Sequence, residues 1–477
     1  MTSRTDSTPP TAQPEPRPGR APTRTRSSDR AVVIGGSIAG LLAARVLTNH
    51  FADVVLVDRD TLPADASARK GVPQSTHLHI LLVRGADILE QLFPDLLAEL
   101  TAAGAARIHW PSEVLWLSPR GWGSRTPAGV MLISCTRDLL EHAIRRRVVT
   151  NPRVRVLDEH GAIGLLTPQG PRARHVTGVR VRARATGEDT ELEADLVVDA
   201  SGRSSRAPEW LALLGYRAPG ETVINSFLGY ASRIYEKPKG ERDWKALLLQ
   251  PRPPTGTRAG VLFPVEGGRW HVTLIGVGRD YPPTDEAGFL EFARSLPSPV
   301  LAAAVETARP LSRITGYRRT ENQLRRYDEL PAWPDGFVVL GDAACSFNPA
   351  YAQGMSVAGE SALVLDRWLG ANTPSRDFQV RLRRAIATPW LLATGEDFRY
   401  PTTEGGRPSA ATRLMHRYLD RILSTATTDD TVADAFIKVL QMIAPPTTLF
   451  APGVLARTLR GPTREAAAID SPPPAPS

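Results

Sequence analysis

In "AVVIGGSIAGLLAARVL", Ala31–Leu47, an apolar run gives way to glycines and then to a second apolar pattern of longer period. "AVVIG" is short and closed by glycine, as in a strand buried on both faces of a parallel sheet. Leu41, Leu42, Val46 and Leu47 recur at helical spacing, which predicts a helix from about Ile38 to Asn49. A further apolar run, "DVVLVDRD" (Asp53–Asp60), ends in acids. Strand, helix and strand within about thirty residues match a right-handed parallel crossover. A hydropathy window over Ala31–Leu47 would suggest a membrane span. Three glycines among its first ten residues suit a strand and turn better than lipid.

The turn itself is "GGSIAG", Gly35–Gly40. A dinucleotide loop needs a glycine for the tight turn, a small second residue beside the pyrophosphate, and a third glycine where helix meets strand. Gly35 and Gly40 fill the outer positions, and Ser37 stands where the pattern has its middle glycine. The anion would sit at the helix N-terminus, where free amides and the helix dipole favour it. A strand-helix turn without ligand would use the same glycines. Asp58, at the end of the second strand, is placed to accept from ribose hydroxyls, with Arg59 beside it. It could equally be a solvated strand-end carboxylate. An acid here favours a ribose without a 2′-phosphate, as in NAD or FAD.

The 477 residues carry a formal charge of +8 and are 42% hydrophobic. Only five lysines contribute, so the charge is almost all arginine, and the first thirty residues hold six arginines against three acids. This is an Arg-biased composition with a basic tail, not a nucleic-acid footprint. Two cysteines, Cys135 and Cys345, cannot build a disulfide framework and suit a reducing cytoplasm. No secretory signal or stable membrane insertion is expected.

The expected fold is α/β. A Rossmann-like nucleotide-binding domain, 30–205 and 310–400, is interrupted by a β-rich substrate domain, 206–309, whose runs are separated by Pro and Gly-Gly turns. Residues 1–29 read as a disordered tail, and 401–470 as a helical C-terminal region. Helical patterns also cover Ala86–Ala102, Thr136–Val149 and Asp285–Thr307.

Two later segments repeat the strand-then-loop texture. "DLVVDASGRSSR" (Asp195–Arg206) puts Asp199 and Gly202 at a strand end, and "GDAACSFNPAYAQG" puts Gly341, Asp342, Pro349 and Gly354 at another. With the glycine loop, these segments in this order resemble the FAD-dependent monooxygenases of the aromatic-hydroxylase superfamily over roughly residues 30–400. The mid-chain motif is loosened by Ser201, between Ala200 and Gly202. By that resemblance Asp342 meets the ribityl chain of FAD, and the loop through Pro349 to Gly354 lies against the isoalloxazine. "CTRDLLEHAIRRRV" resembles the helix that carries a cofactor-side arginine, here Arg137, whereas Arg45 could face either cofactor or solvent. "RKGVPQSTHLHILL" (Arg69–Leu82) resembles an element of bacterial polyketide and polyether (polyene) epoxidases. Its His77 and His79 lack the neighbours of a metal site, and no metal is expected.

The resemblance implies an FAD-dependent monooxygenase that uses a flavin 4a-hydroperoxide. NADPH or NADH would supply electrons, directly or through a separate flavin reductase. Dioxygen and a hydrophobic small molecule would be the co-substrates, in secondary metabolism such as antibiotic biosynthesis. No individual catalytic side chain is identified, because the cofactor carries the chemistry. Phe227, Tyr230, Phe263 and Trp270 are the candidates for the substrate pocket. Few poised acids accompany them, which favours alkene epoxidation in a polyketide or terpenoid intermediate over hydroxylation of an aromatic polyketide. A prenyl-chain reductase, a halogenase and a non-catalytic flavin-fold escort share the fold. The halogenase signature Trp-x-Trp-x-Ile-Pro does not occur in the sequence.

Overall fold

Strand β1 (Arg30–Ile34) is the middle strand of a five-stranded parallel sheet in a computed structural model that describes residues 29–69, 71–127, 129–168, 174–463 and 472–474. The expected disorder of 1–28 and the stretch 464–470 of the helical region lie outside the described residues. Helix α1 (Ile38–Leu47) returns the chain to β2 (Asp53–Val57), which pairs with β1 so that Val57 stands beside Ile34. On the other side of β1, Leu196–Asp199 sets Asp199 opposite Ile34, and Phe337–Val339 follows as an edge. Val32, Val33, Val197, Val198 and Val338 are fully buried. Each such side chain contributes about 1.5–3 kcal/mol by leaving water. The register brings the carboxyl ends of four segments, at Gly35, Asp58, Ala200 and Leu340, to one edge of the sheet. That edge is where ligands bind in open α/β sheets.

The second layer is a seven-stranded mixed sheet. It is not confined to 206–309. Val114–Ser118 joins it parallel to Ala246–Leu249, and Thr315–Tyr317 pairs with Gly229–Glu236. Along Arg269–Gly276, Thr273 and Ile275 face a large cavity, whereas Trp270, Val272 and Leu274 pack on helices Glu286–Arg294 and Val300–Glu306. The helical patterns also break at prolines. Phe93-Pro94 divides Val83–Leu92 from Leu96–Ala102, because proline disfavours helical backbone at the residue before it. Pro297 and Pro299 divide the later pair in the same way.

Beyond the last parallel strand the chain is helical: Gly354–Ala371, Ser375–Asp397, Ala410–Ala426, Asp430–Leu440 and Pro452–Arg460. Asp429 caps its helix by accepting from the amides of Thr431 and Val432. Such a cap contributes about 1 kcal/mol. The last three helices build a small core of their own around Ile422, Val432 and Val454.

Two expected pocket residues therefore belong to cores. Trp270 lies on the far face of the sheet, one position out of phase with the cavity-facing Thr273 and Ile275, because side chains alternate along a strand. Phe263 shares the cavity face but stands farther along its strand, where Trp110, Trp116 and Leu423 cover it. Trp270→Ala is expected to cost about 3–5 kcal/mol, read as a lowered midpoint in urea unfolding. A loss below about 1 kcal/mol would return Trp270 to a cavity wall.

Candidate functional site

The glycine turn is built by close approach. Gly35 has φ +104°, and a Cβ there would lie 2.5 Å from the Ala200 carbonyl oxygen. A Cβ on Gly40 would come within 1.7 Å of the Gly35 carbonyl oxygen. Ser37 is the N-cap of α1, yet its hydroxyl does not cap the helix. It donates to Glu141 Oε2 at 3.0 Å and accepts from Arg137 at 2.9 Å. The first amides of α1 are thus left without a side-chain cap at the cavity, which Gly35, Ser37, Ile38 and Ala39 line.

Asp58 also lines this space and is itself engaged. It accepts from the amides of Gly36, at 2.5 Å, and Asp60, at 2.8 Å, and pairs with Arg69 at 3.3 Å. Arg69 continues to Glu141 at 2.7 Å, and Glu141 meets Arg137 at 2.9 Å and Arg145 at 3.7 Å. Burial pushes the Glu141 carboxyl up, but the guanidiniums of Arg137 and Arg69 outweigh it and hold the group below the usual range. Arg59 is an exposed residue at the cavity edge. Arg45 points elsewhere, donating to the Leu92 carbonyl at 3.0 Å.

Asp199 supports a turn without lining the cavity. It is fully buried and accepts from the Ser201 amide at 2.9 Å and the Ser205 hydroxyl at 2.5 Å. Gly202, with φ +81°, lets Ala200–Ser204 curve along the cavity wall. Asp342 is different. Gly341, φ +62°, lets the chain pass so close to α1 that a Cβ there would lie 2.7 Å from Ala39 Cβ. Asp342 then faces the cavity and makes no hydrogen bond or ion pair among the described residues. Desolvation raises its pKa, against the pull of Arg203 and Arg137. Such a carboxylate fits a ligand that brings hydroxyl donors. Pro349 and Gly354 line the same cavity, within a loop that turns through a left-handed Ala352 (φ +55°).

The cavity holds about 1150 Å³. This exceeds the roughly 300–1000 Å³ of ordinary ligand pockets and leaves room for two molecules. One wall is the sheet face with Leu248, Val261 and Ile275, and another is formed by C-terminal residues including Met415, Leu423 and Phe436. Tyr230 lines the cavity, stacked on Tyr317 at 5.5 Å, and burial raises the pKa of its phenol. Phe227 lies outside it, with the Arg279 guanidinium over its ring. His79 lines the cavity; its Nδ1 donates to the His77 carbonyl at 2.9 Å, leaving Nε2 as the acceptor nitrogen. Burial brings His79 down to about 3 and His77 to about 4, so both rings are neutral at working pH. Among the described residues no group of three or more His, Cys, Asp or Glu could hold a metal, and no helix is long and apolar enough to cross a membrane.

Sequence reasoning missed Arg69, Glu141, Tyr351 and Asp397 as members of the site. For Glu141 a signal existed, since it stands four residues from both Arg137 and Arg145 on one helix.

Comparison with known proteins agrees with this geometry. Residues 31–207 match the family described as FAD dependent oxidoreductase. The chain is an enzyme of the FAD-dependent oxidoreductases, and FAD is its cofactor. Within them it belongs to the family of Protein Rv3254 of Mycobacterium tuberculosis, 33% identical over 437 residues that cover 87% of this chain and 90% of that protein. Kynurenine 3-monooxygenase of Salinispora arenicola is 27% identical over 83% of this chain and 86% of its own. A triple mutant of the flavin-dependent brominase Bmp2 shares the fold with a TM-score of 0.63 at 14% identity, over 90% of this chain and 99% of the brominase.

Glu141→Gln strips the carboxylate from Arg137 and Arg145 in a buried setting and is expected to cost about 3–5 kcal/mol in urea unfolding at pH 7. Because the folded pKa of Glu141 is lowered, its contribution is present above the unfolded value of roughly 4.3 and is lost as pH falls through the folded value. The variant should flatten that acid limb. An unchanged pH dependence would show that Glu141 is not the carboxylate holding the cluster.

Proposed function

We propose that this oxidoreductase is a monooxygenase that places one oxygen atom of dioxygen on an alkene of a hydrophobic polyketide or terpenoid intermediate. In this reading FAD lies along the cavity. Gly35, Ser37 and Gly40 shape the turn at its pyrophosphate, Asp58 and Arg59 lie at its adenosine end, and Arg137 secures Ser37. Asp342 accepts from its ribityl hydroxyls. Asp199 and Gly202 hold the adjoining turn, and Gly341, Pro349 and Gly354 shape the wall against the ring system. When bound, FAD supplies dioxygen activation, with NADPH or NADH as electron source directly or through a separate reductase.

The observation that carries the reading is the continuity of the cavity from Asp342 to the apolar sheet face and C-terminal wall. The protein's part is to orient an apolar substrate there and exclude water. Tyr230 is kept protonated, and burial brings His79 down to about 3, so its free Nε2 is only a weak proton acceptor beside the sheet. Oxygen transfer to an alkene requires no base, whereas hydroxylating a phenol is helped by one. The relationship to kynurenine 3-monooxygenase supports a second reading, hydroxylation of an aromatic ring.

Reduced enzyme given polyene and phenolic candidates under labelled dioxygen is expected to yield polyene products with one labelled oxygen each. Label found only in phenols would replace the first reading with the second. Asp342→Asn tests the cofactor placement. Its raised folded pKa means that FAD-free protein loses stability as pH rises from the unfolded value of about 3.9 through the folded one. The variant should therefore melt higher than wild type at pH 7 without FAD, yet bind FAD at least about tenfold more weakly, as the loss of hydrogen bonds to a charged group implies. FAD affinity equal to wild type would remove Asp342 from the cofactor site.

A further inference from the structure

Asp397 is the last residue of helix Ser375–Asp397, only 1% exposed, and lines the same cavity. Its carboxylate collects four side-chain donors from three distant segments. Oδ1 accepts from the Tyr351 hydroxyl at 2.7 Å, the Ser226 hydroxyl at 2.9 Å and Asn348 Nδ2 at 3.1 Å. Oδ2 accepts from Asn322 Nδ2 at 2.6 Å. Asn322, itself fully buried, returns its Oδ1 to the Asn348 amide at 2.8 Å. Asn348 in turn caps the short turn Pro349–Tyr351 by accepting from the Ala350 amide at 3.1 Å.

Every side-chain hydrogen bond that ties this turn to distant parts of the chain thus leads back to one carboxylate. The turn needs such a fixture, because Ala352 follows it in left-handed backbone at φ +55°. A non-glycine residue held there costs on the order of 1–3 kcal/mol, which the surroundings must offset. Phe347 and the residues from Pro349 to Gly354 line the cavity a few positions after Asp342.

We propose that Asp397 is the positioning residue for the cavity loop 348–352, and that it ties this loop, through Ser226, to the turn that leads into strand Gly229–Glu236, and to the C-terminal helices through its own helix. The proposal rests on FAD occupying this cavity, and it assigns Asp397 no contact with cofactor or substrate. The donors are all neutral, so burial dominates and brings the carboxyl up to about 6. Tyr351 on the loop, Glu396 on the same helix, and Arg399 and Tyr400 just beyond it are the titratable groups around Asp397. A proton on Asp397 turns one acceptor into a donor facing a donor, which loosens the loop as pH falls through about 6.

The hydrogen-bond polarity supplies the test. Asp397→Asn puts an amide nitrogen against a donor in either orientation, facing Asn322 Nδ2 in one and Asn348 Nδ2 in the other. Adding Asn322→Asp restores the match: the new carboxylate still accepts from the Asn348 amide and now accepts from the amide at 397. Flavin absorption and FAD affinity are measured for wild type, D397N, N322D, D397N/N322D and Y351F, with D342N alongside. Wild type is expected to show a change in bound-flavin absorption with a midpoint near pH 6, and D397N to lack it. D397N should bind FAD about tenfold more weakly at pH 7.5, with the double variant within about twofold of wild type. N322D alone should be impaired, since it sets two carboxylates face to face, and Y351F should shift the flavin spectrum in the same sense as D397N. An unaltered spectrum and affinity in D397N, with only a lower melting temperature, would reduce Asp397 to a structural residue, as would a double variant no better than D397N. If D342N also binds FAD like wild type, it is the cofactor placement that has failed; if D342N is impaired and D397N is not, only the role of Asp397 falls.

Discussion

A Cβ on Gly40 would overlap the Gly35 carbonyl, so α1 can rest on the end of β1 only because position 40 has no side chain. That approach fixes where the first amides of α1 stand, and a closed ring of contacts locks them there. The Gly36 amide meets Asp58, Asp58 meets Arg69, Arg69 meets Glu141, and Glu141 returns to Ser37 at the helix start. Four chain segments are bound into one unit whose charges alternate, which makes their burial tolerable. A turn held this way is preorganised, and an anion arriving at it need not order the backbone first.

The acids at this edge of the sheet divide by what they hold. Asp58, Glu141 and Asp199 are occupied by partners from the protein itself and serve as framework. Asp342 is left without a donor at the cavity wall. An unpaired, desolvated carboxylate is a cost that folding alone does not explain. In the proposed reading its counterpart is the ligand, and this contrast would separate a binding acid from structural ones more sharply than motif position does.

What the sequence disclosed was local. Period and glycine placement located β1, α1, β2 and the strand ends at Asp199 and Gly341. Side-chain parity over longer distances was out of reach: Trp270 looked like a pocket residue until the register showed it one step out of phase. Pro94, Pro297 and Pro299 stand in the sequence where the helices divide, but the helical periodicity runs across them. Asp397 and Arg69 gave no local signal, because the side-chain partners of Asp397 lie 46 residues or more away and Arg69 joins Asp58 to Glu141, which is 72 residues further on. Strand Val114–Ser118 likewise joins a sheet that belongs mostly to later residues, which no scan for a contiguous insertion could find.

The two ends of the cavity are built by different forces, and this bears on where selectivity resides. The end near Ser37 is held by charges and short hydrogen bonds that leave little latitude in shape. The other end is apolar and assembled from docking: Phe436 stacks on Trp116 at 5.6 Å, and Leu423 and Ile437 join the core around Phe263. Its margin includes the exposed side chains Leu391, Met415 and Phe450. Apolar contacts are non-directional, so a wall made of them tolerates changes of size and shape that the charged ring would not. In the proposed reading, variation in the helices Ala410–Ala426 and Asp430–Leu440 reshapes the room for substrate while the cofactor end stays fixed. Asp397, bonded to the cofactor-side loop and carried on the helix that precedes them, stands where these two regimes meet.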